Sequence, residues 1–250
     1  MSAARLEARG LVKRYGGLAA VDGASVDLAI GEIHALIGPN GAGKSTLIGL
    51  LAGSIRPDAG RIAIDGADVT RRPVHARVAL GLVRSFQVTS LFDGWSARDN
   101  VAFAVQCRSG SSFRFFRPLS AERGLFVHAE AALEDVGLSG RAGTLARNLS
   151  HGDRRRLEIA VALACRPRLV LLDEPLAGLG PSEAQEIVTL VRSLRSRFGV
   201  LMVEHDMDAV FALADRVTVL VGGRVTASDT PKMIRSDPAV QQAYLGEGLP

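Results

Sequence analysis

Gly38-Pro39-Asn40-Gly41-Ala42-Gly43-Lys44-Ser45-Thr46 matches a phosphate-binding pattern of two glycines, a lysine and a hydroxyl at fixed spacing. Its flanks give the pattern its context: Ile33-His34-Ala35-Leu36-Ile37 reads as a short buried strand, and Leu47, Ile48, Leu50 and Leu51 read as a helix. The stretch therefore opens a helix. There, successive backbone N–H groups form a hollow for anions at the positive end of the helix dipole. Glycine supplies positive φ and lets the backbone approach phosphate oxygens with no Cβ in the way. Lys44 is expected to reach the β- and γ-phosphates of a nucleoside triphosphate, and the Ser45 hydroxyl to bind Mg²⁺.

With 250 residues, the chain can bury one sizeable core, or a core with an inserted subdomain. Although 47% of the residues are hydrophobic, no apolar run approaches the ~18 to 20 needed to span a bilayer. Met1 to Glu7 lacks an apolar export region, so a cytosolic location is expected. Cys107 and Cys165 are too few and too separated for a disulfide framework or a zinc site. The net charge of +4 is spread along the chain and decides little. Two local clusters, Arg154-Arg155-Arg156 and Arg108 to Arg117 with Phe113, Phe115 and Phe116, read as solvated faces or as contact surfaces. There are no internal repeats.

Leu6 to Leu11, Val26 to Ile30 and Arg61 to Asp65 alternate as half-buried strands and predict a small β layer. From about Val88 to Leu149 the spacing becomes helical, as in Ala129, Ala132, Leu133 and Val136 before Gly137, which predicts a helical insertion. Apolar runs return at Leu169 to Leu172, Val200 to Val203 and Val217 to Val221, suited to a parallel sheet covered on both faces. The core is therefore α/β. Beyond Pro231, short helical pieces are expected around Pro238.

Asp173 and Glu174 follow the run Leu169 to Leu172, at the strand end where open parallel sheets bind ligands. Asp173 is placed to hold Mg²⁺ and Glu174 to act as general base on an attacking water. His205, in Val203-Glu204-His205-Asp206, ends another strand and is a candidate to reach the γ-phosphate or that water. His34, His75 and His128 show no ligand spacing. Ser150 and Asp153, in Leu149-Ser150-His151-Gly152-Asp153, have capping-box spacing, and Leu157, Ala160, Val161 and Ala164 then form one apolar helical face.

A phosphate loop, this capped glycine-bearing helix, the Asp173-Glu174-Pro175 strand end and the His205 strand end, in that order, resemble the signature of ATP-binding cassette ATPases over nearly the whole chain. The resemblance implies a P-loop NTPase fold: a RecA-like parallel-sheet core, an antiparallel β subdomain and an inserted α-helical subdomain. It places the nucleotide-binding core with its β subdomain at 1–87 and 166–230, the helical subdomain with the signature at 88–165, and a C-terminal tail at 231–250.

It further implies a head-to-tail dimer in which ATP lies between one subunit's phosphate loop and the other's signature helix. Ser150 and Gly152 would contact the partner's γ-phosphate, Tyr15 would stack on adenine, and Gln87 would sense Mg²⁺ and the membrane partner. Two positions depart from the family pattern: Asp153 stands where glutamine is usual, and Gly180 where the family has Asp or Asn. A carboxylate near a helix end that must accept a phosphate is expected to oppose closure.

Arg84-Ser85-Phe86-Gln87 with Leu91-Phe92, Arg154 to Ala160, and the tail from Asp237 to Glu247 look like the ATPases of branched-chain amino-acid importers, and within them the larger of the two cassettes. That implies a second cassette, identical or different, two permease subunits and a solute-binding protein as partners. It also implies peripheral attachment to the cytoplasmic face of the inner membrane, with no nucleic acid. The segment Arg108 to Arg117 would then face the permease. Urea or amide importers and lipopolysaccharide exporters carry similar cassettes. Soluble cassette proteins differ in having two cassettes, a long coiled insertion or basic arms.

Overall fold

The computed structural model describes residues 5–85, 91–108 and 123–244. The elements up to the first helical segment are β1 (Arg5–Tyr15), β2 (Leu18–Ala29), β3 (Ile33–Ile37), α1 (Lys44–Ala52), β4 (Ala59–Ile64), β5 (Ala67–Asp68), α2 (Val74–Ala79) and β6 (Leu82–Arg84). They are followed by α3 (Ala97–Arg108), α4 (Arg123–Asp135), α5 (His151–Ala164), β7 (Leu169–Asp173), α6 (Pro181–Leu194) and β8 (Gly199–Val203). The last are α7 (Met207–Leu213), β9 (Arg216–Val221), β10 (Arg224–Asp229), α8 (Pro231–Ser236) and α9 (Pro238–Tyr244).

The chain divides into two compact units. Met1–Arg84, Arg168–Leu176 and Val191–Pro250 form the first, and Ser85–Pro167 with Ala177–Leu190 the second. Residues 177–190, which the sequence reading left in the nucleotide core, thus group with the second unit, and α6 runs from the second into the first.

Two sheets build the first unit. One is four-stranded in the order β2-β1-β4-β5 and antiparallel; the other is six-stranded in the order β10-β9-β3-β8-β7-β6. In the larger sheet only the β9–β10 pair is antiparallel. Every residue of β3, β7 and β8 is buried, as parallel strands covered on both faces require. β1 and β2 run well past the apolar stretches seen in the sequence, to a Gly16-Gly17 loop joining Tyr15 to its partner Leu18. Their outer ends are solvent-facing, so the backbone ladder continues after the apolar alternation has stopped. The edge strand β10 is mostly solvent-facing and carries little apolar pattern, while β6, with Leu82 and Val83 buried, is only three residues long and too short to show a period.

Helix α1 is apolar almost all round because it lies inside this unit's core. Leu47, Ile48, Leu50 and Leu51 are fully buried, in one cluster with Leu6, Ala8 and Leu11 of β1, Leu36 of β3 and Leu171 of β7. Burial of each such leucine or isoleucine contributes roughly 1.5–3 kcal/mol. The far end of α1 is closed by the buried Arg77. Its guanidinium donates to the carbonyls of Leu50 at 2.7 Å, Leu51 at 2.6 Å, Arg72 at 3.0 Å and Thr70 at 3.1 Å. Burial lowers Arg77 to about 10, so it keeps the charge that complements the negative helix end.

In the second unit α3, α4 and α5 pack on one another. Phe92 stacks on Trp95 with centroids 4.5 Å apart, and both meet Phe103 edge-on. Ala129, Ala132, Leu133 and Val136 are buried as the helical spacing predicted, as are Leu157, Ala160 and Ala164 of α5, whereas Val161 is only half-buried.

Candidate active site

The phosphate loop joins β3 to α1, and tertiary contacts dictate its glycines. Gly43, the residue before α1, has φ 101°, and a Cβ there would lie 2.1 Å from the carbonyl oxygen of Ala20 in β2. A Cβ on Gly38 would meet the carbonyl oxygen of Leu220 in β9 at 2.1 Å. Both positions exclude every other residue. Lys44 is buried against its own loop, its ammonium donating to the carbonyl oxygens of Gly38 and, at 3.0 Å, Pro39.

Asn40, Gly41, Ala42, Gly43, Lys44, Ser45 and Thr46 line an open cleft of about 360 Å³ together with Glu174 and His205. Leu18, Ala19, Ala20 and Gly222 complete its wall. None of these four stands out in the sequence as a site residue; the signals available were the Gly16-Gly17 turn before Leu18 and the Gly222-Gly223 turn after β9. Tyr15 itself is half exposed at the end of β1, with the Lys13 ammonium 5.5 Å from its ring centroid. It sits at the hairpin whose second strand starts with the cleft-lining Leu18.

Glu174 lies just beyond β7 with φ 47°, a left-handed conformation rare for a residue with a side chain. Its N–H donates to the carbonyl oxygen of Val203, the last residue of β8, at 2.9 Å. One carboxylate oxygen is 3.1 Å from Nε2 of His205. Two residues far apart in the sequence thus form a pair in the lining of the cleft. The half-exposed His205 is followed by Asp206, whose carboxylate caps α7 by accepting from the N–H of Ala209 at 3.0 Å.

Asp173 is buried and does not line the cleft. Its Oδ2 accepts from the Arg84 guanidinium at 2.6 Å, while its buried Oδ1 has no hydrogen-bond partner among the described residues. Next to His205, Glu204 is also buried. Its carboxylate accepts from the N–H groups of Leu176 at 2.7 Å and His205 at 3.1 Å. Desolvation by burial pushes its carboxyl above the usual carboxylate range despite these bonds. Neither Arg84 nor Glu204 announced itself as a site residue in the sequence. Gln87 lies outside the described residues, as does the segment from Ser109 to Arg117.

In the second unit Ser150 caps α5, its Oγ accepting from the N–H of Asp153 at 3.1 Å. The N–H of Gly152 donates to one oxygen of Glu183 at 3.0 Å, and the N–H of Gly180 to the other at 3.3 Å. Asp153, expected to oppose closure, is held between two arginines: Arg141 lies 3.3 Å away and Arg156 3.9 Å away, and the side chain is only 14% exposed. The two guanidinium groups draw it in and neutralise it. A side chain at position 180 would meet no atom within 4 Å, so packing does not demand the glycine.

A family model described as ABC transporter matches residues 21–177, and one described as branched-chain amino acid ATP-binding cassette transporter matches residues 227–249. The chain is 39% identical over 254 residues to the high-affinity branched-chain amino acid transport ATP-binding protein BraF of Pseudomonas aeruginosa, an alignment covering 99% of this chain and 100% of BraF. It is 38% identical over 243 residues to the lipopolysaccharide export system ATP-binding protein LptB of Acidithiobacillus ferridurans, covering 97% of each. Among solved structures it resembles the ADP conformation of MJ1267, an ATP-binding cassette of an ABC transporter. That match has a TM-score of 0.89 and 30% identity, and covers 98% of this chain and 100% of that one.

Proposed function

The chain belongs to the ABC transporter family of ATP-binding cassettes, and from that premise we propose that it drives import of branched-chain amino acids. It is an ATPase of P-loop type. The observation that carries the choice of solute is the second family match, at residues 227–249, because identity alone hardly separates an amino-acid importer from a lipopolysaccharide exporter.

In this reading the backbone N–H groups from Asn40 to Thr46 and the Lys44 ammonium cradle the phosphates, and Tyr15 stacks on adenine. Glu174 takes a proton from the attacking water, and His205 holds Glu174 and the γ-phosphate in line. Ser45, Asp173 and Gln87 are the candidates to hold Mg²⁺. The exposed Ser45 hydroxyl in the cleft lining is a hard oxygen donor that suits it, whereas the Asp173 Oδ1, also a hard donor, is buried outside that lining and would have to be uncovered to reach it. Bound there, Mg²⁺ neutralises phosphate charge. Ser150 and Gly152 serve the ATP of a second cassette, identical or different.

Two permease subunits and a solute-binding protein complete the assembly, with this chain attached peripherally at the cytoplasmic face of the inner membrane. No helix among the described residues is long and apolar enough to cross a membrane, which suits attachment through partners. Reconstitution with the permease subunits, second cassette and binding protein of a branched-chain amino-acid importer tests the reading. Uptake of labelled leucine that requires ATP and disappears with Glu174→Gln is the expected result. ATP-driven uptake of urea or an amide, or extraction of lipopolysaccharide, without leucine uptake, would overturn the choice of solute.

A further inference from the structure

β7 and β8 pair in parallel up to the rung Asp173–Val203. One further backbone bond, from the N–H of Glu174 to Val203, carries the ladder past it. Pro175 then ends it, because proline has no N–H to donate. The next N–H along, that of the buried Leu176, is caught by a side chain: Glu204 accepts it at 2.7 Å with one oxygen, while its other oxygen accepts the N–H of His205 at 3.1 Å. One buried carboxylate therefore grips the chain two residues after Glu174 and immediately before the imidazole that faces Glu174.

We propose that Glu204 is a positioning residue for hydrolysis, a clamp that holds the Glu174 carboxylate and the His205 ring in register across the ends of two strands. Glu174 needs such a clamp because its left-handed backbone is not its preferred state. His205 needs one because it is half exposed and touches Glu174 at a single nitrogen. The proposal rests on the assignment of Glu174 and His205 to hydrolysis.

Glu204→Gln keeps the shape and one accepting oxygen but turns an amide NH₂ toward one of the two N–H donors. In the full chain it is expected to slow single-turnover ATP hydrolysis about tenfold or more, since small displacements of reacting groups are costly. Affinity for a non-hydrolysable ATP analogue should stay within about twofold of wild type. Added to His205→Ala, it should deepen that variant's loss by less than about twofold, because Glu204 acts through the pair.

Near-wild-type hydrolysis in Glu204→Gln would overturn the proposal. So would equal losses of turnover and analogue affinity, the sign of a merely structural role, or losses that simply multiply in the double variant. If Glu204→Gln does not fold, Glu204→Asp, which keeps the charge and withdraws it by one methylene, carries the same comparison. Wild-type turnover in His205→Ala alone is a separate failure, that of the site assignment beneath the proposal.

Discussion

Arg84, the last residue of edge strand β6, donates to Asp173, the last residue of β7, at 2.6 Å, with the Asp173 side chain wholly buried and Arg84 only 19% exposed. The pair neutralises a carboxylate buried away from solvent. Removing one partner of a buried ion pair leaves the other uncompensated. Arg84→Met is therefore expected to destabilise the protein by about 3 kcal/mol. Urea denaturation followed by circular dichroism measures this, and a loss below about 1 kcal/mol would mean that Asp173 finds another partner or protonates.

Glu174→Gln should bind ATP nearly as the wild type does and lose hydrolysis by about 10² to 10⁴, because it removes the proposed base and leaves the phosphate loop intact. Lys44→Ala should behave in the opposite way. The ammonium, bonded here to the loop carbonyls of Gly38 and Pro39, is proposed to hold the phosphates, so its loss should weaken binding about ten- to a hundredfold. A nucleotide titration and a turnover assay on both variants separate the two roles.

Asp153→Gln would tighten an ATP-dependent dimer at low salt if the carboxylate repelled the partner's phosphate. Its pairing with Arg141 and Arg156 argues that it does not. The expected result is a dimer affinity changed by less than about fivefold, since partly exposed ion pairs are worth ~0–1 kcal/mol. Sedimentation in the Glu174→Gln background, with and without Asp153→Gln, reads this directly.

His34 supplies a pH dependence. It is fully buried in β3, with Nδ1 2.9 Å from the carbonyl oxygen of Asp27 and Nε2 2.7 Å from the Thr218 hydroxyl. A carbonyl only accepts, so Nδ1 carries the proton and Nε2 accepts from the hydroxyl, a neutral ring. Burial first, then the nearby Arg216, push its pKa down to about 4. An unfolded histidine takes up its proton near pH 6.5, before the folded one does. Stability is therefore expected to fall as pH drops from 6.5 toward 4, by up to about 3 kcal/mol. Denaturation midpoints across that window should slope less in His34→Gln; an equal slope would assign the effect to the carboxylates instead.

The phosphate loop, the strands β3, β7, β8 and β9 and the helical character of the second unit were legible because their signals are local. Nine consecutive residues carry the loop's chemistry, and a buried parallel strand declares itself by an unbroken apolar run. Strands β6 and β10 were not legible: β6 has only three residues, too few for a period, and β10 is held by backbone pairing on a mostly exposed edge that leaves little trace in side-chain type. The half-exposed outer parts of β1 and β2 escaped for the same reason as β10.

Sequence alone determined that a glycine-rich loop of phosphate-binding pattern sits between strand and helix, and that Asp173, Glu174 and His205 stand at strand ends. Only the tertiary structure decided how those groups meet. β8 lies beside β7, which brings His205 to Glu174 and Glu204 to Leu176, and β6 lies on the other side of β7, which brings Arg84 to Asp173 across 89 positions of chain. The fate of Asp153 was decided in the same way, by arginines on its own and a neighbouring segment. Such contacts depend on strand order and on the reach of individual side chains, and neither is encoded in the spacing of residues along a single element.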